Sequence, residues 1–150
     1  MQHSLKIDPN DAYVLNYLAY GWIERDMKID QSFVMLTDAY NANPTSMSAA
    51  IQSFIDVKAK AKLVILGDML ELGQYTHKEH QGIIDQLKKG GIENAILVGP
   101  HFCAIKTTGY NAFKNTAEAK KHLANQSILN HTILIKGSRG IALEQLLDQL

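Results

Sequence analysis

Three short segments of the chain combine polar and charged side chains in a way that suits ligand binding. The first, residues 38–44, holds a carboxylate, a phenol and two carboxamides, which are Asp38, Tyr40, Asn41 and Asn43. Such groups suit hydrogen bonds to a ribose or an amide. The alternative is an ordinary polar turn, in which Thr45 or Ser46 caps a helix over residues 47–57.

The second segment, residues 67–73, places Asp68 and Glu71 between two glycines, Gly67 and Gly73. Glycines allow the backbone to come close to a ligand. The two carboxylates suit bonds from an amine, or an approach to a metal ion through water. A solvated loop without a ligand is the competing interpretation.

The third segment contains Lys136, Ser138 and Arg139 and joins a predicted strand to the last predicted helix. Two cations and several backbone N–H groups near a helix N-terminus favour an anion. The segment is not a Walker A loop, because the pattern Gly-x-x-x-x-Gly-Lys-Ser/Thr occurs nowhere in the chain. The phosphates of a nucleotide therefore lack their usual cradle here.

Two histidines and one cysteine are further candidates for reactive groups. His77 and His80 stand three residues apart in the first turn of a predicted helix, but no third metal ligand is evident nearby, so solvent-facing or capping roles are favoured. Cys103 has no basic partner close in sequence and is expected to pack as a small side chain. No metal site and no catalytic nucleophile are predicted.

Helices and strands must position these segments. Along the chain, short runs of β-branched residues alternate with longer stretches in which apolar residues recur at helical spacing. This pattern predicts an α/β fold with a Rossmann-like, mostly parallel sheet and flanking helices. Predicted strands cover residues 62–66, 94–98, 109–113 and 132–135. One predicted helix begins at Thr76, with Glu79 at capping-box spacing, and ends at Gly90. Two more predicted helices cover residues 116–129 and 141–150.

The first part of the chain has a different pattern. Residues 12–22 predict a short amphipathic helix, and residues 1–31 resemble a fragment of a tetratricopeptide repeat. This indicates a helical segment over 1–31 and a second domain over 32–150. Residues 33–37 form either the first buried strand or part of a second repeat helix over 30–40; we favour the strand, because it places Asp38 at the ligand-binding end of a sheet.

Composition narrows the functional classes. The 15 basic residues balance the 15 acidic ones, so no net field draws the chain to nucleic acid or to an anionic membrane. No apolar run is long enough for membrane insertion. The single cysteine and the absence of signal-peptide character at the start indicate the cytoplasm.

Taken together, the three segments make residues 33–150 resemble the C-terminal domain of the Mur ligases. The resemblance rests on segments 38–44, 64–73 and 135–140, together with His80. It is greatest for the ligases that join D-alanyl-D-alanine to a UDP-N-acetylmuramoyl tripeptide. In that family ATP and Mg²⁺ are bound mainly by other domains, which supply the phosphate-binding loop. The C-terminal domain closes over the bound ATP.

The resemblance also implies roles for individual residues. It implies that Asp38 holds the nucleotide ribose and that Tyr40, Asn41 and Asn43 line the nucleotide site. It further implies that Asp68, Glu71, Lys136, Ser138 and Arg139 face the acceptor dipeptide or the transferring phosphate. The chain alone is expected to be inactive. A different class of function, an interaction module whose N-terminal helices bind a protein partner, is the alternative.

Overall fold

The structure, a computed structural model, describes residues 23–24, 33–36, 42–107 and 109–150. Its strands form one sheet and are β1 (Ile23–Glu24), β2 (Phe33–Leu36), β3 (Lys62–Gly67), β4 (Ala95–Val98), β5 (Asn111–Phe113) and β6 (Thr132–Lys136). The spatial order is β1-β2-β6-β3-β4-β5. Only the β1–β2 pair is antiparallel among these neighbours. The predicted α/β fold with a mostly parallel sheet is confirmed.

Helices cover both faces of the sheet. The α-helices are α1 (Pro44–Ile55), α2 (Thr76–Lys89), α3 (Pro100–Cys103) and α4 (Thr116–Ala124), and 3₁₀ turns occupy Gly73–Tyr75, Arg139–Ile141 and Leu143–Gln149. Within the described residues, no helix has both the length and the apolar character that crossing a bilayer requires.

The central strand β3 shows why this sequence is buried on both faces. Val64 and Leu66 join the core under α1, α2 and α3, whereas Leu63 and Ile65 join the core under α4 and the last 3₁₀ turn. Successive side chains of a strand point to opposite faces, so a strand covered on both sides must be apolar throughout. The continuous apolar run of β3 therefore follows from its position between two helical layers.

Strand β2 decides between the two interpretations of residues 30–40. It pairs in parallel with β6, in a register that sets Phe33 opposite Thr132 and Leu36 opposite Ile135. The strand prediction is confirmed, and a continuous helix over residues 30–40 is ruled out. The helix predicted over residues 12–22 lies outside the described residues, and the domain boundary at residues 31 and 32 stays a prediction.

Several predicted helix ends were wrong. The capping box of Thr76 and Glu79 does not form: Tyr75 is the N-cap residue, and the Thr76 hydroxyl donates to the carbonyl of Gly73 at 2.7 Å. Helix α4 ends at Ala124 instead of continuing to residue 129. The closing segment is 3₁₀ in character, because Ala142 adopts a left-handed conformation (φ +58°) that interrupts a continuous helix from residue 141.

Candidate functional site at the carboxyl edge of the sheet

The segments that follow β3, β4 and β6 lie side by side at one edge of the sheet, because parallel strands end at the same edge. The exits of β3 and β6 are in very close contact. A Cβ atom on Gly137 would lie 2.8 Å from Cα and 2.9 Å from N of Gly67. The structure thus brings together the second and third segments that the sequence had singled out.

Asp68 is the first residue after β3, and its side chain is completely buried. One carboxylate oxygen accepts the N–H of His101 at 2.8 Å, and the other accepts the N–H of Phe102 at 2.9 Å. Both donors belong to α3, whose first N–H groups have no partners within the helix. Asp68 therefore joins the exit of β3 to the helix after β4, and its predicted contact with a substrate remains untested.

His80 lies on α2 directly behind this carboxylate and is fully buried. Its Nδ1 is 2.7 Å from the carbonyl oxygen of Thr76, and its Nε2 accepts the N–H of Met69 at 3.0 Å. A carbonyl can only accept, so Nδ1 carries the proton and the ring is neutral. The expectation that His80 faces solvent or caps the helix was wrong, whereas His77 is exposed.

Burial is the main reason that the pKa of His80 is lowered from the usual 6.5. The hydrogen bond to the Thr76 carbonyl and the carboxylate of Asp68 act in the opposite direction but are smaller. His80 Nε2 lies 3.7 Å from Oδ1 of Asp68, and because this nitrogen already accepts the Met69 N–H, the contact is not an ion pair in the neutral state. The ring also packs edge-on against Phe102, at 4.6 Å between centroids.

Ser138 connects the third segment to the second. Its hydroxyl oxygen accepts the N–H of Leu70 at 3.0 Å, and its own N–H donates to the carbonyl of Asp68 at 3.1 Å. Around this link, Glu71 is exposed with a left-handed backbone (φ +64°), and Arg139 is exposed as well. Lys136 is buried, with only 3% of it exposed.

The first segment is described only at its end. Asn43 is the N-cap of α1: its side chain accepts the N–H of Ser46 at 2.8 Å, and the Ser46 hydroxyl accepts the N–H of Asn43 at 3.2 Å. The cap is therefore Asn43, not Thr45 or Ser46. Asp38, Tyr40 and Asn41 lie outside the described residues, so their predicted nucleotide contacts stay predictions.

Sequence reasoning missed the role of residues 99–102. Asp68 and the amides that it binds are more than thirty residues apart in the chain, so no local pattern linked them. A usable signal existed in the glycines Gly67, Gly99 and Gly137, which stand at or directly after the ends of three parallel strands. Glycine at a strand exit is typical of close backbone approach.

Groups of three or more side chains able to hold a metal ion do not occur within the part of the chain that the structure describes. Cys103 is partly buried, and its pKa is raised by burial and then by the carboxylate of Asp68. A raised pKa disfavours the reactive thiolate. At this edge of the sheet, Glu71 and Arg139 are exposed and Ser138 is partly buried.

Comparison with known proteins identifies relatives of this chain. UDP-N-acetylmuramoyl-tripeptide--D-alanyl-D-alanine ligase from Bacillus subtilis is 36% identical over 136 residues, which cover 83% of this chain and 29% of the relative. The enzyme of the same name from Rickettsia prowazekii is 34% identical over 123 residues, covering 79% of this chain and 27% of the relative. The chain thus spans less than a third of the length of these curated relatives.

A solved structure shows the same fold. A crystal structure of MurF from Acinetobacter baumannii superimposes with a TM-score of 0.72 at 31% identity, covering 87% of this chain and 29% of that chain. Residues 25–139 also match the family described as "Mur ligase, glutamate ligase domain". This range includes residues 38–44, where the ligase-like and repeat-like interpretations overlap. The chain therefore belongs to the Mur ligase family and carries its C-terminal domain.

Proposed function

We propose that this chain supplies the acceptor-binding domain of an ATP-dependent cytoplasmic ligase that joins D-alanyl-D-alanine to UDP-N-acetylmuramoyl tripeptide. The observation that carries the proposal is the junction of the segments after β3 and β6 through Leu70 and Ser138, which brings Glu71 and Arg139 to one edge of the sheet. The names of the relatives from Bacillus subtilis and Rickettsia prowazekii support the choice of substrates.

In the proposed reaction, a carboxylate oxygen of the tripeptide attacks the γ-phosphorus of ATP, and ADP leaves. The amine of D-alanyl-D-alanine then attacks the acyl carbon of the resulting acyl phosphate and loses a proton, and inorganic phosphate leaves. Negative charge builds up on the phosphoryl and acyl oxygens during both steps. Cations and hydrogen-bond donors placed at these oxygens stabilise the transition states.

The acceptor dipeptide has an ammonium or amine at one end and a carboxylate at the other, and the carboxyl edge offers complementary groups. Arg139 can hold a carboxylate or a phosphate through two parallel hydrogen bonds. Glu71 suits the amine end, and the Ser138 hydroxyl, which accepts from Leu70, keeps its proton for donation. We assign Asp68 to the support of this edge instead of direct contact, because both of its oxygens bind α3.

For the nucleotide, we propose that Asp38, Tyr40 and Asn41 contribute on the β2 side of the sheet. Strand β2 ends at Leu36 and runs parallel to β6, so its carboxyl end faces the same edge as Lys136. We assign Mg²⁺ and the β- and γ-phosphates to the remainder of the ligase, because the chain contains no Walker A pattern. We assign Asn43 to the helix cap, where its side-chain oxygen accepts the Ser46 N–H. Its side-chain NH₂ group is the donor that remains for the nucleotide.

A domain exchange tests the proposal. Residues 33–150 replace the corresponding part of the Bacillus subtilis ligase, and phosphate release is measured with D-alanyl-D-alanine and, separately, with single amino acids as acceptors. The expected result is phosphate release that depends on the dipeptide. A control ligase, cut and rejoined at the same junctions with its own domain, shows that the junctions are tolerated.

A folded chimera that accepts single amino acids in preference to the dipeptide would contradict the proposed acceptor. Calorimetry with D-alanyl-D-alanine, on the 150-residue chain with and without the separately supplied remainder of the ligase and an ATP analogue, gives an independent measure of binding. The repeat-like alternative, a partner-binding module, concerns residues 1–31, and none of the relatives described above supports it.

A further inference from the structure

We infer that His80 is a positioning residue for the carboxyl edge: its neutral ring, protonated on Nδ1, fixes the turn Asp68–Leu70 and thereby sets the place of Ser138. No part of the proposed reaction requires His80 to touch a substrate. The statement that the acceptor binds at this edge rests on the proposed function. The local coupling itself rests only on hydrogen bonds within the described residues.

The first step of the coupling is the contact between His80 and the backbone after β3. The Met69 N–H points into the buried ring nitrogen Nε2 at 3.0 Å, and Met69 itself is fully buried. A buried N–H without an acceptor is destabilising, so the turn and the ring orientation stabilise each other. The bond from Nδ1–H to the Thr76 carbonyl holds the ring in this orientation.

The second step carries the restraint to the third segment. Asp68 and Leu70 stand on either side of Met69. The Asp68 carbonyl accepts the N–H of Ser138, and the Leu70 N–H donates to the Ser138 hydroxyl. The Met69 N–H and the Asp68 carbonyl share one peptide plane, so rotation of that plane displaces the acceptor of the Ser138 N–H, and the Leu70 N–H belongs to the adjoining plane. Arg139 follows directly in sequence and begins the 3₁₀ turn Arg139–Ile141.

Protonation of His80 would disrupt the hydrogen bond from the Met69 N–H to Nε2. A proton on Nε2 would face the Met69 N–H, so two donors would meet where a donor and an acceptor now pair. Oδ1 of Asp68 lies 3.7 Å from Nε2 and would be an acceptor for the new proton. The other titratable groups that act on the ring are His101 on α3, which lowers the pKa of His80, and Glu79 on α2, which raises it; burial is the largest cause of the lowered pKa.

Nuclear magnetic resonance of the 150-residue chain tests the coupling without any ligase activity. Two variants separate the roles of the ring: His80→Phe keeps its shape and removes both hydrogen bonds, whereas His80→Gln supplies an amide oxygen that can accept the Met69 N–H and cannot be protonated. His77→Gln, at an exposed position one turn earlier on the same helix, is the matched control.

In the wild-type chain, the ring nitrogens of His80 should show the Nδ1–H form, and the amide signals of Met69, Leu70 and Ser138 should shift together as the ring titrates. In His80→Phe, hydrogen exchange at the Leu70 and Ser138 amides should accelerate by about tenfold relative to the control, the loss expected for one hydrogen bond. His80→Gln should restore slow exchange and abolish the shared pH dependence.

Unchanged exchange at Leu70 and Ser138 in a folded His80→Phe chain would overturn the inference. If His80→Phe does not fold, the wild-type titration decides: amide signals of Ser138 that stay constant while His80 titrates contradict the coupling. In the domain-exchange ligase, His80→Phe should raise the KM for D-alanyl-D-alanine, and His80→Gln should return it towards wild type. A wild-type chimera without dipeptide-dependent activity would contradict the proposed function and leave the resonance result to decide the coupling.

Discussion

Gly99 packs directly on the carboxyl group of Asp68, so that a Cβ atom at residue 99 would lie 2.2 Å from Cγ of Asp68. Gly99 also has φ +133°, a conformation that residues with a side chain rarely adopt. The two residues are the first to follow β3 and β4. Their contact lets the buried carboxylate reach the N–H groups of His101 and Phe102.

We expect Gly99→Ala to destabilise the domain by about 2 to 4 kcal/mol, because the added methyl group meets both the carboxylate and an unfavourable backbone conformation. Urea denaturation followed by circular dichroism measures the change. Gly82→Ala is the matched control: Gly82 lies at an exposed position of α2 with open space around it, so the same substitution should stabilise by up to about 1 kcal/mol. Equal effects at the two sites would contradict the packing argument.

Asp68→Asn tests whether the carboxylate is needed as a double acceptor. An amide keeps one oxygen but sets an NH₂ group against a backbone N–H of α3, so we expect a loss of about 2 to 4 kcal/mol in the free energy of unfolding. Asp85→Asn at an exposed position of α2 should change it by less than about 0.5 kcal/mol. If Asp68→Asn is as mild as the control, the carboxylate does not hold α3.

Stability should depend on pH through His80. Because the pKa of the folded-state ring is lowered below 6.5, the unfolded chain takes up the proton first as the pH falls. The contribution of the neutral ring is fully present above that value and is lost progressively below it. Between about pH 8 and about pH 5.5, wild type should lose more unfolding free energy than His80→Gln, as measured by chemical denaturation. An equal loss in both proteins would mean that His80 titrates as it does in the unfolded chain.

Arg139 should matter for the acceptor more than for the fold. In the domain-exchange ligase, Arg139→Ala should reduce kcat/KM for D-alanyl-D-alanine by about ten- to a hundredfold, which corresponds to one charge-assisted contact. Arg139→Lys should also weaken acceptor use, since Lys keeps the charge but lacks the two-pronged geometry. Melting temperatures of both variants are the control. Acceptor kinetics that stay unchanged, or activity that falls only with stability, would contradict the assignment.

Cys103 should react slowly with alkylating agents. Burial raises the pKa of its thiol, and the Asp68 carboxylate adds to the effect, so the thiolate is scarce at neutral pH. Iodoacetamide should modify Cys103 severalfold more slowly in the native chain than in urea, as followed by mass spectrometry. Equal rates would show that the thiol is neither buried nor held protonated by its surroundings.

Much of the architecture was predictable from the sequence, because it depends on local apolar runs. Strands β3 and β6 and helix α2 were predicted to within one or two residues, since each has a continuous apolar run or a clear apolar face. The parallel strands also implied that residues 67–73 and 136–140 share an edge. The bond between Leu70 and Ser138 bears this out.

The polar details were not predictable, because they depend on contacts between distant residues. The contact of Asp68 with a substrate stays a prediction, and its bonds to the amides of residues 101 and 102 were not predicted. His80 was predicted near solvent, but its acceptor and donor contacts are with Met69 and Thr76 in the core. A polar residue gives the same local pattern whether its partner is a ligand or the backbone of a neighbouring loop.

The position of β6 has a consequence for biosynthesis. This strand, residues 132–136, lies between β2 and β3, which are separated from it by long stretches of chain. A nascent chain that has emerged only as far as residue 131 therefore has two groups of strands, β1-β2 and β3-β4-β5, each with an unpaired inner edge. Unpaired edges recruit other strands, and pairings between distant segments form slowly. Emergence of β6 from the ribosome should be the event that joins the two groups of strands and covers both inner edges.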